Sequence, residues 1–316
     1  MKLAFILDQL DSIKTYKDSS FAMMREAVLR GHSLFSMQQG DLVWKNGRTT
    51  GFVRALELTG EGDGAHRWYR VNEPEEMPLT DFDAVMMRKD PPFDMEYIYS
   101  TYLLELAESS GARVINSPRA IRDHNEKLAI AKYPQYAPPT LVTRQERLIR
   151  DFLAEYGDIV VKPLDGMGGA SIFRIHRDGH NIGVIIETLT HYGTRTVMAQ
   201  RYIPEIAQGD KRILLIAGNP VPYSLARIPK PGEMRGNLTA GATGVAQPLT
   251  SRDREIAEAL GSGLQNAGLM LVGLDVIGDY LTEINVTSPT CMREITDQTG
   301  FNVAGMMLDA LEKISS

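Results

Sequence analysis

Val160-Val161-Lys162-Pro163-Leu164-Asp165-Gly166-Met167-Gly168-Gly169-Ala170-Ser171 is an apolar run that ends on a lysine and opens into a glycine-rich loop. Successive backbone N–H groups in such a loop can line a concave nest for phosphate, and a neighbouring lysine supplies a point charge. The segment lacks the Gly-Lys-Ser/Thr ending of the P-loop and does not match G-x-G-x-x-G. The next residues, Ser171-Ile172-Phe173-Arg174-Ile175, read as a strand. A strand–loop–strand hairpin would therefore cover the phosphates, with no helix N-terminus beneath them. The plain alternative is an ordinary hairpin turn.

A second stretch decides between these. Gly273-Leu274-Asp275-Val276-Ile277-Gly278-Asp279-Tyr280-Leu281-Thr282-Glu283-Ile284-Asn285-Val286 reads as a hairpin ending in oxygen ligands. Glu283 and Asn285 stand two apart and share a face of a strand. A two-residue Gly278-Asp279 loop would pair Leu274 with Glu283 and turn Asp275 away. A three-residue loop, Gly278-Asp279-Tyr280, pairs Asp275 with Glu283. The latter register places Val272, Leu274, Val276, Ile284 and Val286 on one apolar face, as a half-buried sheet requires. It is the expected one. Asp275, Glu283 and Asn285 on the other face suit a hard cation such as Mg2+, which is held by one or two carboxylates plus nucleotide phosphates and water. A solvated polar face is the bland alternative.

The net charge of −6 over 316 residues argues against a nucleic-acid coat, which needs a basic stripe. An anionic substrate such as ATP then requires local positive charge, for which Lys127, Lys162, Lys211, Arg212, Arg227 and Arg235 are candidates. The single cysteine, Cys291, excludes an intramolecular disulfide and fits a reducing compartment. No base accompanies it in a triad-like pattern. The first residues, Met1 to Asp8, read as a buried strand rather than a signal peptide. No apolar run reaches the length of a membrane span. The expected location is the cytoplasm, with no membrane and no nucleic-acid partner.

The first third alternates strand and helix, which predicts an open parallel sheet. Strands are expected at Leu3–Leu7, His32–Met37, Ala84–Arg88 and Arg113–Asn116. Helices are expected from a Ser19 cap to about Arg30, over Met95–Ser109, and from Pro118 to about Tyr133. Val43 to about Leu58 reads as exposed hairpins, and Gly60-Glu61-Gly62-Asp63-Gly64 as a flexible turn. A Pro-rich connection at 133–139 leads to a smaller α+β unit, with strands at 140–143, 159–162 and 171–175 and helices at 145–156 and 182–190. Val197–Pro204 reads as a strand entering a hinge. Asp210–Ala217 and Pro220–Arg227 pair around Gly218-Asn219. The irregular segment Pro229–Gly244 carries Arg235 and several glycines. At a length above about 12–15 residues it reads as a lid, with a linker as the alternative. A helix at 251–267, the ligand hairpin and a helix after Gly300 complete the chain. The expected division is 1–122, 123–203 and 204–316.

In this order of parts, a glycine loop between strands, a hinge strand and an Asp…Glu-x-Asn hairpin, the chain resembles the ATP-grasp ligases. More closely it resembles the bacterial type of glutathione synthetase, over nearly its whole length. The motifs are Lys17-Asp18-Ser19-Ser20-Phe21-Ala22-Met23, Met87 to Asp94, Asn125-Glu126-Lys127-Leu128, Lys162 to Arg174, Leu225 to Pro229, Arg235-Gly236-Asn237-Leu238 and Thr282 to Cys291. The resemblance implies an ATP-grasp fold, α/β and α+β, behind an N-terminal open parallel-sheet (pre-ATP-grasp) domain. It implies ligation of γ-glutamylcysteine and glycine through an acyl phosphate, releasing ADP and phosphate. No covalent enzyme intermediate is needed.

By the same resemblance, Lys127 and Lys162 contact ATP phosphates, and Gly166, Gly168 and Gly169 let backbone amides approach them. The backbone of Gln200, Arg201, Tyr202 and Ile203 meets the adenine edge, and Asp210 lies near the nucleotide. Asp275, Glu283 and Asn285 hold two Mg2+ ions, with Mn2+ as the alternative. Arg212 and Arg235 stabilise the acyl phosphate. Arg227 and backbone amides near Thr287-Ser288-Pro289 receive peptide carboxylates, and Ser19, Ser20 and Arg88 are further substrate-side candidates. A homotetramer is the family expectation. Ala242 and Thr243 stand where the family often has a glycine and a basic residue, which bears on the lid's flexibility and on one phosphate-side charge but not on the core chemistry. The rival readings are another ATP-grasp carboxylate–amine ligase, of the D-alanine–D-alanine or glutamate type, and a nucleotide-binding module without catalysis.

Overall fold

A computed structural model of the chain describes every residue except 61–66, 234, 237, 239, 240 and 316. The turn expected at 60–64 lies outside the described residues beyond Gly60.

The first sheet contains β1 (Lys2–Leu7), β2 (Ser33–Gln38), β3 (Leu42–Lys45), β4 (Arg48–Leu58), β5 (Tyr69–Val71), β6 (Glu75–Pro78), β7 (Ala84–Met87) and β8 (Val114–Ile115). Its order is β3-β4-β2-β1-β7-β8, with β5 and β6 also paired to β4. β1 lies between β2 and β7, parallel to both, and Leu3 to Leu7 are all buried. A central parallel strand is covered on both faces, which explains its unbroken apolar run. The sheet is not purely parallel, because β4 returns antiparallel to β2 through the β3–β4 hairpin. Helices α1 (Ser19–Leu29), α2 (Met95–Ser109) and α3 (Pro118–Asp123) belong to this part. The cap of α1 is Asp18 rather than Ser19: its Oδ1 accepts Phe21 N–H at 2.7 Å. Ser19 is already inside the helix and buried.

The helix expected from Pro118 to Tyr133 breaks after Asp123 and resumes as a 3-10 turn at Leu128–Lys132. Asn125 is the cause. Its Oδ1 accepts the N–H groups of Lys127 and Leu128 at 3.2 and 2.9 Å, a side-chain alternative to the helical ladder.

The second sheet is antiparallel, in the order β11-β10-β12-β9. It contains β9 (Thr140–Thr143), β10 (Asp158–Pro163), β11 (Phe173–His176) and β12 (Val197–Arg201), with α4 (Glu146–Tyr156) and α5 (Ile182–Thr190) against it. Alternation along β10 sends Ile159 and Val161 into a core with Ile149, Leu153 and Ile186. Val160 and Lys162 are left for the opposite face.

The third sheet runs β15-β14-β13-β16-β17, all antiparallel. Its strands are β13 (Asp210–Ile216), β14 (Asn219–Ile228), β15 (Thr243–Pro248), β16 (Leu271–Ile277) and β17 (Tyr280–Asn285), with helices α6 (Ser251–Asn266), α7 (Met292–Thr299) and α8 (Val303–Ser315). β15 and α7 were not anticipated from the sequence. This sheet shares its apolar cores with the first: Val85 packs in one cluster with Ile256 and Val272, and Leu3 in another with Ile216 and Met307. The second sheet keeps a core of its own on one face, while Met198 on its other face joins the shared cluster.

The β16–β17 hairpin corrects the expected loop. Ile277 pairs with Tyr280, so the loop is the two-residue Gly278-Asp279. Asp275 nevertheless faces Glu283, because the register shifts between Asp275 and Val276 and Thr282 becomes the extra residue of a β-bulge. Its Oγ1 donates to Asp275 O at 3.1 Å and closes the bulge. Val272, Leu274, Val276, Ile284 and Val286 are all fully buried, as the apolar face requires.

Candidate active site

The second and third sheets face each other across a cleft of about 280 Å³. β13, β14, β16 and β17 supply Asp210, Arg212, Arg227, Asp275, Glu283 and Asn285. The β10–β11 hairpin supplies Lys162 and the loop Gly166–Ala170. Gly168 and Gly169 have φ of 62° and 80°, a left-handed pair that side chains resist. The end of β12 and the following turn supply Gln200 to Ile203, and the connection after α3 supplies Glu126 and Lys127. Arg235, Gly236 and Leu238 of the long loop and Thr287 to Cys291 complete the lining.

Two ionic groups organise the cleft. Lys162 Nζ lies 3.4 Å from Glu283 Oε1, and Lys127 Nζ lies 3.8 Å from the same oxygen while also donating to Gly166 O. Arg212 grips Asp275 with Nε and one terminal nitrogen at 2.6 and 3.2 Å. Arg227 bridges Asp275 at 3.0 Å and Asp210 at 2.6 Å. Burial works to raise the Asp275 carboxyl, but the two guanidiniums override it and hold it below the usual carboxylate range. Burial and the two lysines oppose one another in the same way at Glu283, which is also lowered. Burial depresses Lys162 against the pull of Glu283. Asp210 is the exception. Burial dominates there and pushes it up to about 6, despite Arg227.

The donor set fits a divalent cation that arrives with phosphate. Asp275, Glu283 and Asn285 offer two carboxylates and an amide oxygen, all hard donors, on one wall. Asn285 Nδ2 donates to Gly273 O at 3.2 Å, which fixes the plane of the amide. Asp210 Oδ1 is buried without a hydrogen-bond partner among the described residues, an acceptor waiting for a donor or an ion. Among the described residues no group of three His, Cys, Asp or Glu side chains forms a metal cage, so phosphate oxygens and water would complete the shell.

Some candidates lie elsewhere. Lys211 points to the far side of β13, paired with Asp253 and donating to Gly278 O at 3.1 Å. Ser19 Oγ accepts Met292 N–H at 3.2 Å, and Ser20 Oγ accepts Arg88 Nε–H at 3.0 Å. Arg88 donates to Pro289 O at 2.9 Å, and its other terminal nitrogen is buried without a partner among the described residues. These three tie the first sheet to the loop at 287–292 from behind and do not line the cleft. Ser288 does, and its Oγ donates to Arg88 O at 3.4 Å. Arg235 pairs within its own loop, with Glu233 at 2.5 Å. In the hinge stretch, Arg201 N–H donates to Pro139 O and Tyr202 N–H to Asp158 O, both at 3.0 Å. Cys291 lines the cleft at 1% exposure, and burial pushes its thiol up, away from a nucleophilic thiolate. Glu126 lines the cleft and was given no role from the sequence, although it stands in the Asn125-Glu126-Lys127-Leu128 motif beside Lys127.

Known proteins match over the full chain. The model of the prokaryotic glutathione synthetase N-terminal domain matches residues 1–122, and that of the prokaryotic glutathione synthetase ATP-grasp domain matches 126–300. A glutathione synthetase of Nitrosomonas europaea is 71% identical over 99% of this chain and 98% of its own. One of Ralstonia nicotianae is 61% identical over 99% and 96%. Among solved structures, the D-cycloserine synthetase DcsG superposes with a TM-score of 0.69 at 16% identity, covering 100% of both chains. That likeness concerns the fold.

Proposed function

The chain belongs to the prokaryotic glutathione synthetase family, and we propose that this cleft carries the family's reaction, the ATP-dependent ligation of γ-glutamylcysteine and glycine. The cysteinyl carboxylate attacks the γ-phosphorus of ATP and ADP leaves. The glycine amine then attacks the acyl phosphate carbonyl, the new C–N bond forms, and phosphate leaves with the carboxyl oxygen. Phosphoryl transfer of this kind depends on positioning and charge stabilisation more than on protein nucleophiles.

The observation that carries this reading is the meeting of Lys127 and Lys162 with Glu283 under the glycine loop. Each carboxylate suited to a cation is held by a basic side chain suited to a phosphate. A Mg·ATP complex supplies both partners at once and can exchange the internal pairs for external ones. Lys127, Lys162 and the Gly166–Gly169 backbone then hold the phosphates, and Asp275, Glu283 and Asn285 hold Mg2+, two ions by family resemblance, or Mn2+. The ions neutralise charge that develops on the phosphate oxygens. Asp210 lies beside the nucleotide. The adenine edge meets groups of Gln200–Ile203 other than the N–H groups of Arg201 and Tyr202, which are engaged.

Arg212 and Arg235 stabilise the acyl phosphate. Arg227 and Ser288, through its main-chain N–H and hydroxyl, receive peptide carboxylate, since Thr287 N–H is held by Glu126 and Pro289 has none, and Arg88 braces that loop through Pro289. The parts act as a substrate domain (1–122), a small lobe (123–203) whose sheet has its own core on one face, and a C-terminal lobe (204–316). No helix among the described residues is long and apolar enough to cross a membrane. A cytoplasmic homotetramer is the assembly proposed by resemblance.

Coupled measurement of ADP release tests the reading. Release that requires both γ-glutamylcysteine and glycine supports it. Release with D-alanine or glutamate instead, or none with any acceptor, refutes it.

A further inference from the structure

Glu126 has no part in the roles above, yet three segments of the cleft converge on it. It lies in the connection between α3 and the 3-10 turn, along the free edge of β17. Its main-chain carbonyl accepts Ile284 N–H at 2.8 Å. Its Oε1 accepts Val286 N–H at 3.0 Å, Thr287 N–H at 3.1 Å and Thr287 Oγ1–H at 2.8 Å. One oxygen thus satisfies two consecutive main-chain donors just beyond the last residue of β17. The chain there, at 286–290, has left the sheet and has not yet entered α7. Without an acceptor, buried N–H groups at that point would pull the segment toward other partners.

Glu126 is itself held from both sides. Asn125 turns the chain and donates to Leu164 O at 3.2 Å. Lys127 donates to Gly166 O and faces Glu283. The unit 125–127 therefore touches the glycine hairpin, the strand of cation donors and the 286–290 segment together.

We propose that Glu126 is a positioning residue for the peptide substrate: it fixes the main chain at 286–288 so that Ser288 and its neighbours meet the peptide carboxylate, and it acts by the place of its acceptor oxygen rather than by its charge. The inference rests on the ligase reading.

Steady-state kinetics of Glu126→Ala, Glu126→Asp and Glu126→Gln test it, with γ-glutamylcysteine and then ATP as the varied substrate. Glu126→Ala removes the acceptor, and Glu126→Asp withdraws it by one methylene. Both raise KM for γ-glutamylcysteine about tenfold or more, the size of leaving main-chain donors without an acceptor, and leave KM for ATP within about threefold. Glu126→Gln offers a carbonyl oxygen at the same reach and stays within about threefold of the parent in both. Three results overturn the proposal: an unchanged peptide KM in the alanine and aspartate variants, a glutamine variant as impaired as alanine, or KM values for ATP and peptide that rise in step. If the alanine variant does not fold, the aspartate–glutamine comparison decides. A parent protein that releases no ADP with γ-glutamylcysteine and glycine refutes the ligase reading instead. Amide exchange at Val286 and Thr287, faster in Glu126→Asp than in Glu126→Gln, then still tests the anchor, and equal rates overturn it.

Discussion

Lys162 Nζ and Glu283 Oε1 lie 3.4 Å apart across the cleft, although 121 residues separate them in the chain. Lys162 is the penultimate residue of the strand that enters the glycine loop, and Glu283 stands opposite Asp275 in the C-terminal hairpin. The pair is where the two lobes meet in charge, and a metal–phosphate complex would be taken up there.

Lys162→Ala is expected to lower turnover by at least about 10²-fold, the scale of losing one preorganised charge stabiliser. Steady-state ADP release measures it. A rate near that of the parent protein removes Lys162 from the phosphate site.

Glu283→Gln keeps shape and removes charge. The Mg2+ concentration for half-maximal rate is expected to rise by about tenfold or more, in line with the loss of one carboxylate donor. A metal titration that overlays the parent's would sink the hairpin assignment.

Asp210 gives a pH signature in the nucleotide-free protein. Its folded-state value, about 6, lies above the ordinary 3.8 because burial outweighs Arg227. A raised carboxyl binds its proton more tightly folded than unfolded. Its contribution to stability is therefore complete below the unfolded value and is lost as pH rises through about 6. Asp275 and Glu283 are held low and stay ionised across that window. Asp210→Asn mimics the protonated form. It is expected to be more stable than the parent at about pH 7.5, by on the order of 2 kcal/mol, and to lose that advantage toward about pH 4. Denaturant unfolding at several pH values checks this, and parallel pH profiles would contradict it.

Asp253 is fully buried, pairs with Lys211 and closes the capping box of α6 with Thr250. Asp253→Ala strands a buried lysine and removes a cap. It is expected to cost about 3–5 kcal/mol of stability, with little change in KM for ATP because the pair lies behind β13. Chemical denaturation and nucleotide kinetics separate the two effects. A loss below about 1 kcal/mol is inconsistent with a buried pair.

Much of the site was legible because alternation is a local property. Lys162 against Val161, and Glu283 and Asn285 against Ile284, could be sorted by face from sequence alone. What could not be read depends on partners distant in the chain. The bulge at Thr282 restores the Asp275–Glu283 pairing that a two-residue loop would have broken, and nothing in the hairpin's own residues announces it. The helix from Pro118 stops at Asp123 because Asn125 caps the next turn and Glu126 is drawn to β17. Asp18 takes the cap expected of Ser19 because Ser19 Oγ accepts from Met292 N–H, 273 residues on. The placement of Ser20 and Arg88 behind the 287–292 loop likewise follows from the shared core of the first and third sheets.

The most direct test is a crystal structure with Mg2+ and a non-hydrolysable ATP analogue. The expected result is a triphosphate between the Gly166–Gly169 loop and β17, with metal on Glu283 and Asn285 and Lys162 turned from Glu283 to a phosphate oxygen. A nucleotide bound elsewhere, or bound there with metal on neither Glu283 nor Asn285, would contradict it.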